Sequence, residues 1–207
     1  MKQAAVLGAQ TFLGFALCGK LVERGVPVKA VFDQPGNKHE KRTMEEKWLT
    51  IGRNALFTPV CREDHPNLKE CGVVFNHPEK VIEVEALHVI SMILTNGERA
   101  AGENETLIYL GSLYGPWQPA TEELNRWAAS DFTFPPFHDD PGLFIEDAAA
   151  AVIDIAFGEG TKGQSYYLPG NGVRADNQYP LTQKTSLEKG LEQLQTHMEL
   201  YPFLYGS

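Results

Sequence analysis

The chain has 207 residues, the length of one large domain or two small ones. Hydrophobic residues make up 43% and charged residues 22% of it, a globular composition that excludes long disordered or fibrous stretches. Its 18 Lys and Arg against 27 Asp and Glu give a net charge of −9, which repels phosphate backbones and excludes nucleic acid as an expected partner.

Cysteine usage and hydropathy indicate the compartment. Cys18, Cys61 and Cys71 are odd in number and match no metal-ligand spacing, which is typical of a reducing compartment. Polar residues interrupt the apolar N-terminal stretch, and no window of about 18 apolar residues occurs that could cross a membrane. We therefore expect a cytoplasmic protein with no membrane partner.

The first elements form a strand–helix–strand unit. Residues 4–7 are a short apolar run, residues 12–24 repeat apolar side chains at helical spacing, and residues 28–32 are a second strand that ends at Asp33. A crossover of this length joins parallel strands.

The remaining predicted elements continue the alternation of strands and helices. They are a helix over 38–53, strands over 55–60 and 72–75, an amphipathic helix over 79–94, a strand over 106–110, helices over 122–129 and 144–157, a strand over 164–168 and a helix over 186–200. This order predicts an α/β fold, a Rossmann-like doubly wound parallel sheet with a small C-terminal cap. We expect a dinucleotide-binding core over 1–112, with 113–207 adding the last strand, helices and the cap within one compact unit.

A glycine-containing turn lies between the first strand and the first helix. A dinucleotide-binding turn has one glycine for the tight turn, a second for close approach of the pyrophosphate and a third for helix–strand packing. Gly8 and Gly14 fill the first and third positions, whereas Thr11 fills the second and is expected to stand where the pyrophosphate would lie. The first-turn amides of Phe12 and Leu13 remain candidate anion donors.

Asp33 ends the second strand, where an acidic side chain can bind the adenine ribose of a dinucleotide. Its charge disfavours a 2′-phosphate, so NAD is the expected cofactor and NADP the less favoured one. The alternative is an ordinary strand–turn–helix followed by an acidic loop residue, with no cofactor.

The strand–turn–helix resembles the opening of the extended short-chain dehydrogenase/reductase family, the NAD-dependent epimerases and dehydratases of nucleotide sugars. Further similar segments occur in the family's order at 113–119 (LYGPWQP), 143–149 (LFIEDAA), 163–172 (GQSYYLPGNG) and 184–191 (KTSLEKGL). The resemblance implies a Rossmann fold, an NAD cofactor and a nucleotide or nucleotide-sugar-like small molecule as partner.

The resemblance also implies a catalytic pair that this chain lacks. In the family a tyrosine exchanges a proton with the substrate hydroxyl, and a lysine four residues later lowers the tyrosine pKa. No tyrosine of this chain is followed by lysine at that spacing. The chain is also shorter than the family, and we expect the missing length to fall between about 95 and 107.

The segment 107–114 fits the family in two registers. As the fifth strand it would put Ser112 in the catalytic serine position beside Tyr114, whereas residues 117–119 favour the sixth strand. Two functions stay open. We favour a nucleotide-binding or interaction module without the family's catalysis; the alternative is an active NAD-dependent oxidoreductase or epimerase in which Ser112 and Tyr114 move the proton.

Two further features have structural interpretations. Residues 137–140 with Glu146 and Asp147 form a polar cluster, which we interpret as helix capping and loop hydrogen bonding rather than a metal site. The apolar C-terminal residues 201–205 are expected to dock either on the domain or on a second copy of the chain, so a homo-oligomer stays open.

Overall fold

A computed structural model describes residues 3–76, 86–93, 99–133, 142–168, 179–181 and 184–205. The strands in these ranges are β1 (Ala4–Leu7), β2 (Val28–Phe32), β3 (Phe57–Cys61), β4 (Val73–Asn76), β5 (Val89–Ile93), β6 (Glu105–Tyr109), β7 (Leu113–Tyr114), β8 (Leu143–Phe144) and β9 (Ser165–Tyr167). The helices are α1 (Phe12–Glu23), α2 (Lys38–Ile51), α3 (Glu122–Ala129), α4 (Ile145–Phe157) and α5 (Leu187–Leu200). Short 3-10 turns span Arg62–Asp64 and Pro202–Leu204.

Seven of these strands form one parallel sheet in the order β3-β2-β1-β4-β5-β6-β9, and β7 pairs with β8 in a separate parallel ribbon. The strand order reverses between β1 and β4. In such sheets ligands bind outside the carboxyl ends of the strands at this reversal. The predicted doubly wound Rossmann-like sheet is confirmed.

The prediction of one long helix over 79–94 is wrong for residues 89–93. Residues 89–93 form β5, which pairs with β4 and β6, whereas residues 79–85 and 94 lie outside the described residues. Ile90 and Met92 enter the main core, and Ser91 is buried on the opposite face of the sheet. An apolar run of this length fits strand and helix templates alike, so its period could not separate them.

Helices α1 and α4 cover one face of the sheet. The main apolar cluster joins Leu17 and Leu21 of α1, Val152 of α4, and Val6 and Ile108 from the strands. This core sets the position of the amino end of α1 against β1. None of the helices in the described ranges has the length and apolar character needed to cross a bilayer.

A second apolar cluster forms the small C-terminal cap. It contains Leu124 and Trp127 of α3, Leu194 and Met198 of α5, and Leu204 and Tyr205 from the C-terminal turn. Arg42 of α2 lies over the ring of Phe203, 3.8 Å from its centroid. Of the two docking sites expected for residues 201–205, the structure therefore has the one on the same chain.

Candidate functional site

The tight turn between β1 and α1 requires glycine at two positions. Gly8 has a φ of 71°, a left-handed conformation that side-chain-bearing residues rarely adopt. A Cβ atom at Gly14 would overlap the carbonyl oxygen of Gly8. The prediction that the last glycine permits close helix–strand packing is confirmed, because α1 could not otherwise start directly against β1.

Thr11 is the N-cap residue of α1. Its hydroxyl donates a hydrogen bond to the carbonyl oxygen of Gly8 at 2.7 Å and accepts one from the N–H of Gly14 at 3.1 Å. Its own φ is −71°, which makes no demand for glycine. The hydroxyl of Thr11 is therefore committed to the turn itself, and it stabilises the start of the helix.

The first turn of α1 presents backbone N–H groups at the carboxyl edge of the sheet. First-turn amides have no acceptor inside their helix, and the helix dipole adds partial positive charge there. The Gly14 N–H is used by Thr11, which leaves Phe12 and Leu13 as the predicted anion donors. The side chain of Leu13 is buried in the main core and Phe12 packs against it, so both residues can serve an anion only through their backbone.

Asp33 lies at the same edge, directly after β2. Its carboxylate accepts a hydrogen bond from Gln10 Nε2 at 3.3 Å and forms an ion pair with Arg62 Nε at 2.9 Å. The predicted turn and the predicted acidic residue are thus brought together, with the Gln10 side chain joining them. Sequence analysis missed Gln10 and Arg62, because each meets Asp33 only when separate strands align side by side.

Lys47 of α2 is the third residue at this site that the sequence did not reveal. It is 3% exposed, and its ammonium donates to the carbonyl oxygens of Gln10 at 2.8 Å and Thr11 at 3.4 Å. Burial lowers the Lys47 pKa to about 8. The helical spacing could have indicated that Lys47 is buried, since it falls on the same side of α2 as Trp48 and Met44. A charged residue among other charged residues is, however, usually interpreted as part of a solvated face.

The C-terminal cap reaches the first turn of α1. Trp117 has a φ of 69°, and its ring lies 5.7 Å from the ring of Phe15 and 4.4 Å from the ring of His197. His197 Nδ1 is 2.9 Å from the Tyr205 hydroxyl, while its buried Nε2 has no hydrogen-bond partner in the part of the chain that the structure describes. Burial, and then the charge of Lys47, lowers the His197 pKa to about 4, so its imidazole is neutral near pH 7.

Asn76 ends β4, beside β1 at the strand-order reversal. Its side chain is buried, and its carboxamide oxygen has no hydrogen-bond partner among the described residues. A buried polar atom without a partner carries a desolvation cost. Asn76 is therefore a candidate ligand group at the reversal.

The order of strands in the sheet distinguishes between the two registers in which residues 107–114 could align with the resembled family. β6 stands between β5 and β9, in the sixth position of the sheet. Ser112 therefore follows the sixth strand rather than the fifth, in agreement with the register that residues 117–119 favour. Ser112 is exposed, whereas Tyr114 is buried beside Phe144 and against Gly190 of α5.

A short connection joins β5 to β6, where the family would carry its tyrosine and lysine. Residues 99–104, the described part of this connection, contain no helix. The Arg99 N–H donates to the Tyr109 hydroxyl at 3.1 Å, and the Arg99 guanidinium binds Glu105 at 2.6 Å and 2.7 Å. The described part of the connection is fastened to the sheet by these bonds.

The polar cluster considered for a metal is only partly described, because residues 137–140 lie outside the described ranges. Glu146 forms an ion pair with Lys20 of α1 at 3.0 Å. Asp147 is buried and accepts hydrogen bonds from the N–H and the hydroxyl of Thr185. Both carboxylates are engaged in structural contacts, with Asp147 joining α4 to the segment that leads into α5.

The parallel sheet, its strand-order reversal and the strand–turn–helix at its start define a Rossmann-like doubly wound fold. No protein-family model matches the sequence. Among curated proteins, the chain is 25% identical over 126 residues to the uncharacterised protein YjaV of Bacillus subtilis (strain 168), a match that covers 59% of this chain and 68% of YjaV.

Solved structures of enzymes crystallised with NAD or NADPH share the fold. The dTDP-glucose 4,6-dehydratase of Bacillus anthracis, crystallised with NAD, has a TM-score of 0.67 at 11% identity and covers 99% of both chains. The UDP-glucuronic acid 4-epimerase of Bacillus cereus, also with NAD, has a TM-score of 0.67 at 13% identity, over 96% of this chain and 99% of the epimerase. Yeast methylglyoxal/isovaleraldehyde reductase, with NADPH, has a TM-score of 0.58 at 8% identity, over 97% and 99%. The fold implied by the sequence resemblance is confirmed.

Proposed function

We propose that this protein binds a dinucleotide at the carboxyl edge of β1 and β2, with NAD preferred over NADP. The observation that carries the proposal is the joining of the glycine turn to Asp33 through Gln10. Gly14 permits α1 to start against β1, and the first-turn amides of Phe12 and Leu13 can donate to a phosphate. The Thr11 side chain occupies the second glycine position, so the diphosphate would lie further from the turn than it would over a glycine. Fold neighbours crystallised with NAD add support.

The preference for NAD rests on Asp33. A carboxylate there accepts hydrogen bonds from a ribose and repels a 2′-phosphate. The Arg62 guanidinium, 2.9 Å from the carboxylate, offsets part of that charge. We therefore expect a modest preference for NAD, with NADP binding more weakly rather than being excluded.

Titration calorimetry with NAD, NADH, NADP and NADPH tests this proposal. Replacement of Asp33 by Ala is expected to weaken NADH binding about tenfold, since it removes a hydrogen-bond acceptor of a bound ribose. Asp154→Ala is the matched control, because Asp154 pairs with Arg24 at the far end of α1. Absence of heat and of any thermal shift for all four nucleotides at millimolar concentration would overturn the proposal.

We further propose that the bound nucleotide is not used in the chemistry of the resembled family. The absence of a tyrosine–lysine pair in the sequence supports this, as does the short connection between β5 and β6.

A nucleotide-sugar-like small molecule is the second proposed ligand, since a fold neighbour was crystallised with UDP-glucuronic acid and NAD. Three buried, unpaired cysteines support a cytoplasmic location.

The enzymatic alternative makes Ser112 and Tyr114 the proton-transfer groups. It predicts that UDP-glucuronic acid added to the NAD-loaded protein gives NADH absorbance or an epimerised product, and that Tyr114→Phe abolishes this turnover. We expect no turnover in the wild-type protein. Turnover that is lost in Tyr114→Phe would establish the enzyme and overturn the non-catalytic proposal.

A further inference from the structure

A buried ammonium lies on the carbonyl side of the glycine turn. Lys47 projects from α2, a helix whose surface is otherwise largely exposed, and donates to the carbonyl oxygens of Gln10 and Thr11. Among the described residues, Lys47 is the only charged side chain that donates a hydrogen bond to a carbonyl group of this turn. It joins α2 to the loop that would hold a nucleotide.

No carboxylate of the described residues lies in an ion pair with Lys47. Besides the two carbonyl oxygens, the ring centroids of Phe15 and Trp117 lie 5.5 Å and 5.8 Å from its Nζ. Rings and carbonyls replace only part of the hydration of an ammonium, so burying it there costs free energy that an apolar residue would avoid.

One of the two carbonyl groups, that of Thr11, connects Lys47 to the predicted anion site, whereas the Gln10 carbonyl shares its peptide group with the Thr11 N–H, which donates to the carbonyl oxygen of Gly8 inside the turn. The Thr11 carbonyl and the Phe12 N–H belong to one peptide group. A cation at the oxygen polarises that group and makes its N–H a stronger donor, and an anion at the N–H makes the oxygen a better acceptor. Lys47 and an anionic ligand on the opposite side of the turn would therefore each favour the other without touching.

We propose that Lys47 is a positioning residue for the diphosphate of a bound nucleotide, acting through the Thr11–Phe12 peptide group and fixing the turn against α2. The proposal rests on the proposed dinucleotide binding and extends it to the residue that prepares the site. The protonated Lys47 favours the anion, so affinity for a diphosphate is highest while Lys47 is charged and falls as it loses its proton.

Few other titratable groups face Lys47. From α5 it meets His197, which is already neutral near pH 7, and behind His197 lies Tyr205, whose pKa is raised by burial. The glycine turn faces it with the carbonyl groups of Gln10 and Thr11, α1 with the ring of Phe15, and the segment after β7 with the ring of Trp117. A change in affinity on the alkaline side of neutrality would therefore report on Lys47.

The test is calorimetric titration with NADH, ADP-ribose and adenosine. For the wild-type protein, affinity for NADH and ADP-ribose should fall about tenfold between about pH 7 and about pH 9.5, whereas adenosine, which has no diphosphate, should bind equally at both. Lys47→Met should bind NADH about tenfold more weakly at the lower pH and show no such fall. Lys47→Arg keeps the charge and should bind NADH at the higher pH as well as at the lower.

Lys41→Met is the matched control, since Lys41 lies on the exposed side of α2 and pairs only loosely with Glu45. Wild-type affinity for ADP-ribose that is unchanged across this pH range would overturn the role of Lys47 while leaving dinucleotide binding intact, and this measurement needs no variant to fold. A wild-type protein that binds none of the nucleotides would overturn the proposed function, and the inference with it.

Discussion

Thr11 stands at the position of the second glycine and closes the turn with its own side chain. Its hydroxyl bonds both Gly8 and Gly14. Thr11→Ala removes both bonds and should lower the free energy of unfolding by about 1 kcal/mol, the usual cost of losing an N-cap. Thr11→Ser keeps the hydroxyl and should stay near wild type in urea unfolding. An alanine variant as stable as the serine variant would contradict this role.

Residues of the site differ in how far the sequence can reveal them. Gly8, Gly14 and Asp33 are predictable, because a turn and a strand end are defined by their immediate neighbours. Lys47 and Arg62 are not, since their partners lie tens of residues away along the chain and the contacts exist only once α2 and β3 are in place. Their side chains alone look like ordinary surface charge.

At the scale of elements, the sequence predicts the boundaries of strands and helices to within a few residues where the apolar residues repeat with a clear period. It does not predict β5. Its residues follow a stretch with amphipathic helical spacing, and the buried Ser91 breaks the apolar run that would mark a central strand. The strand exists because β4 and β6 offer edges on either side. A buried strand is thus decided by its neighbours in the sheet, and these are not visible in a local window.

The connection after β5 gives a prediction about pH. Glu105 at the start of β6 accepts hydrogen bonds from Arg99, from Ser91 of β5 and from the N–H of Gly102. The Arg99 guanidinium is the main reason that the pKa of the Glu105 carboxyl falls to about 2. The unfolded-chain pKa of a glutamate is about 4.3, so this stabilisation is complete above that pH and is lost as pH falls towards 2.

Urea unfolding at several pH values tests this assignment. The free energy of unfolding of the wild-type protein should decline between about pH 4.5 and about pH 2, and Glu105→Gln should show a smaller decline. Glu103→Gln, in the exposed part of the same connection, should follow wild type. If Glu105→Gln declines as steeply as the control variant, Glu105 does not hold the connection in the folded state.

At the scale of the whole molecule, the cap and the sheet are joined at the site. Trp117 contacts Phe15 of α1, and Phe203 lies under Arg42 of α2. The same two helices carry the glycine turn and Lys47. Cap residues therefore share the packing of the proposed nucleotide site, which implies that the cap and the sheet gain stability from each other.

Tyr205→Ala tests whether the cap and the sheet unfold as one unit. Tyr205 is 4% exposed, and its hydroxyl lies 2.9 Å from His197 Nδ1. Its removal therefore opens a cavity and leaves a buried imidazole nitrogen without its hydrogen-bond partner. We expect a loss of about 3 kcal/mol, with tryptophan fluorescence and far-ultraviolet circular dichroism still changing in one coincident transition. Leu200→Ala, at a side chain that is 69% exposed, should leave stability near wild type. Two separate transitions in Tyr205→Ala would mean that the cap unfolds alone, and the proposed nucleotide site would then not depend on it.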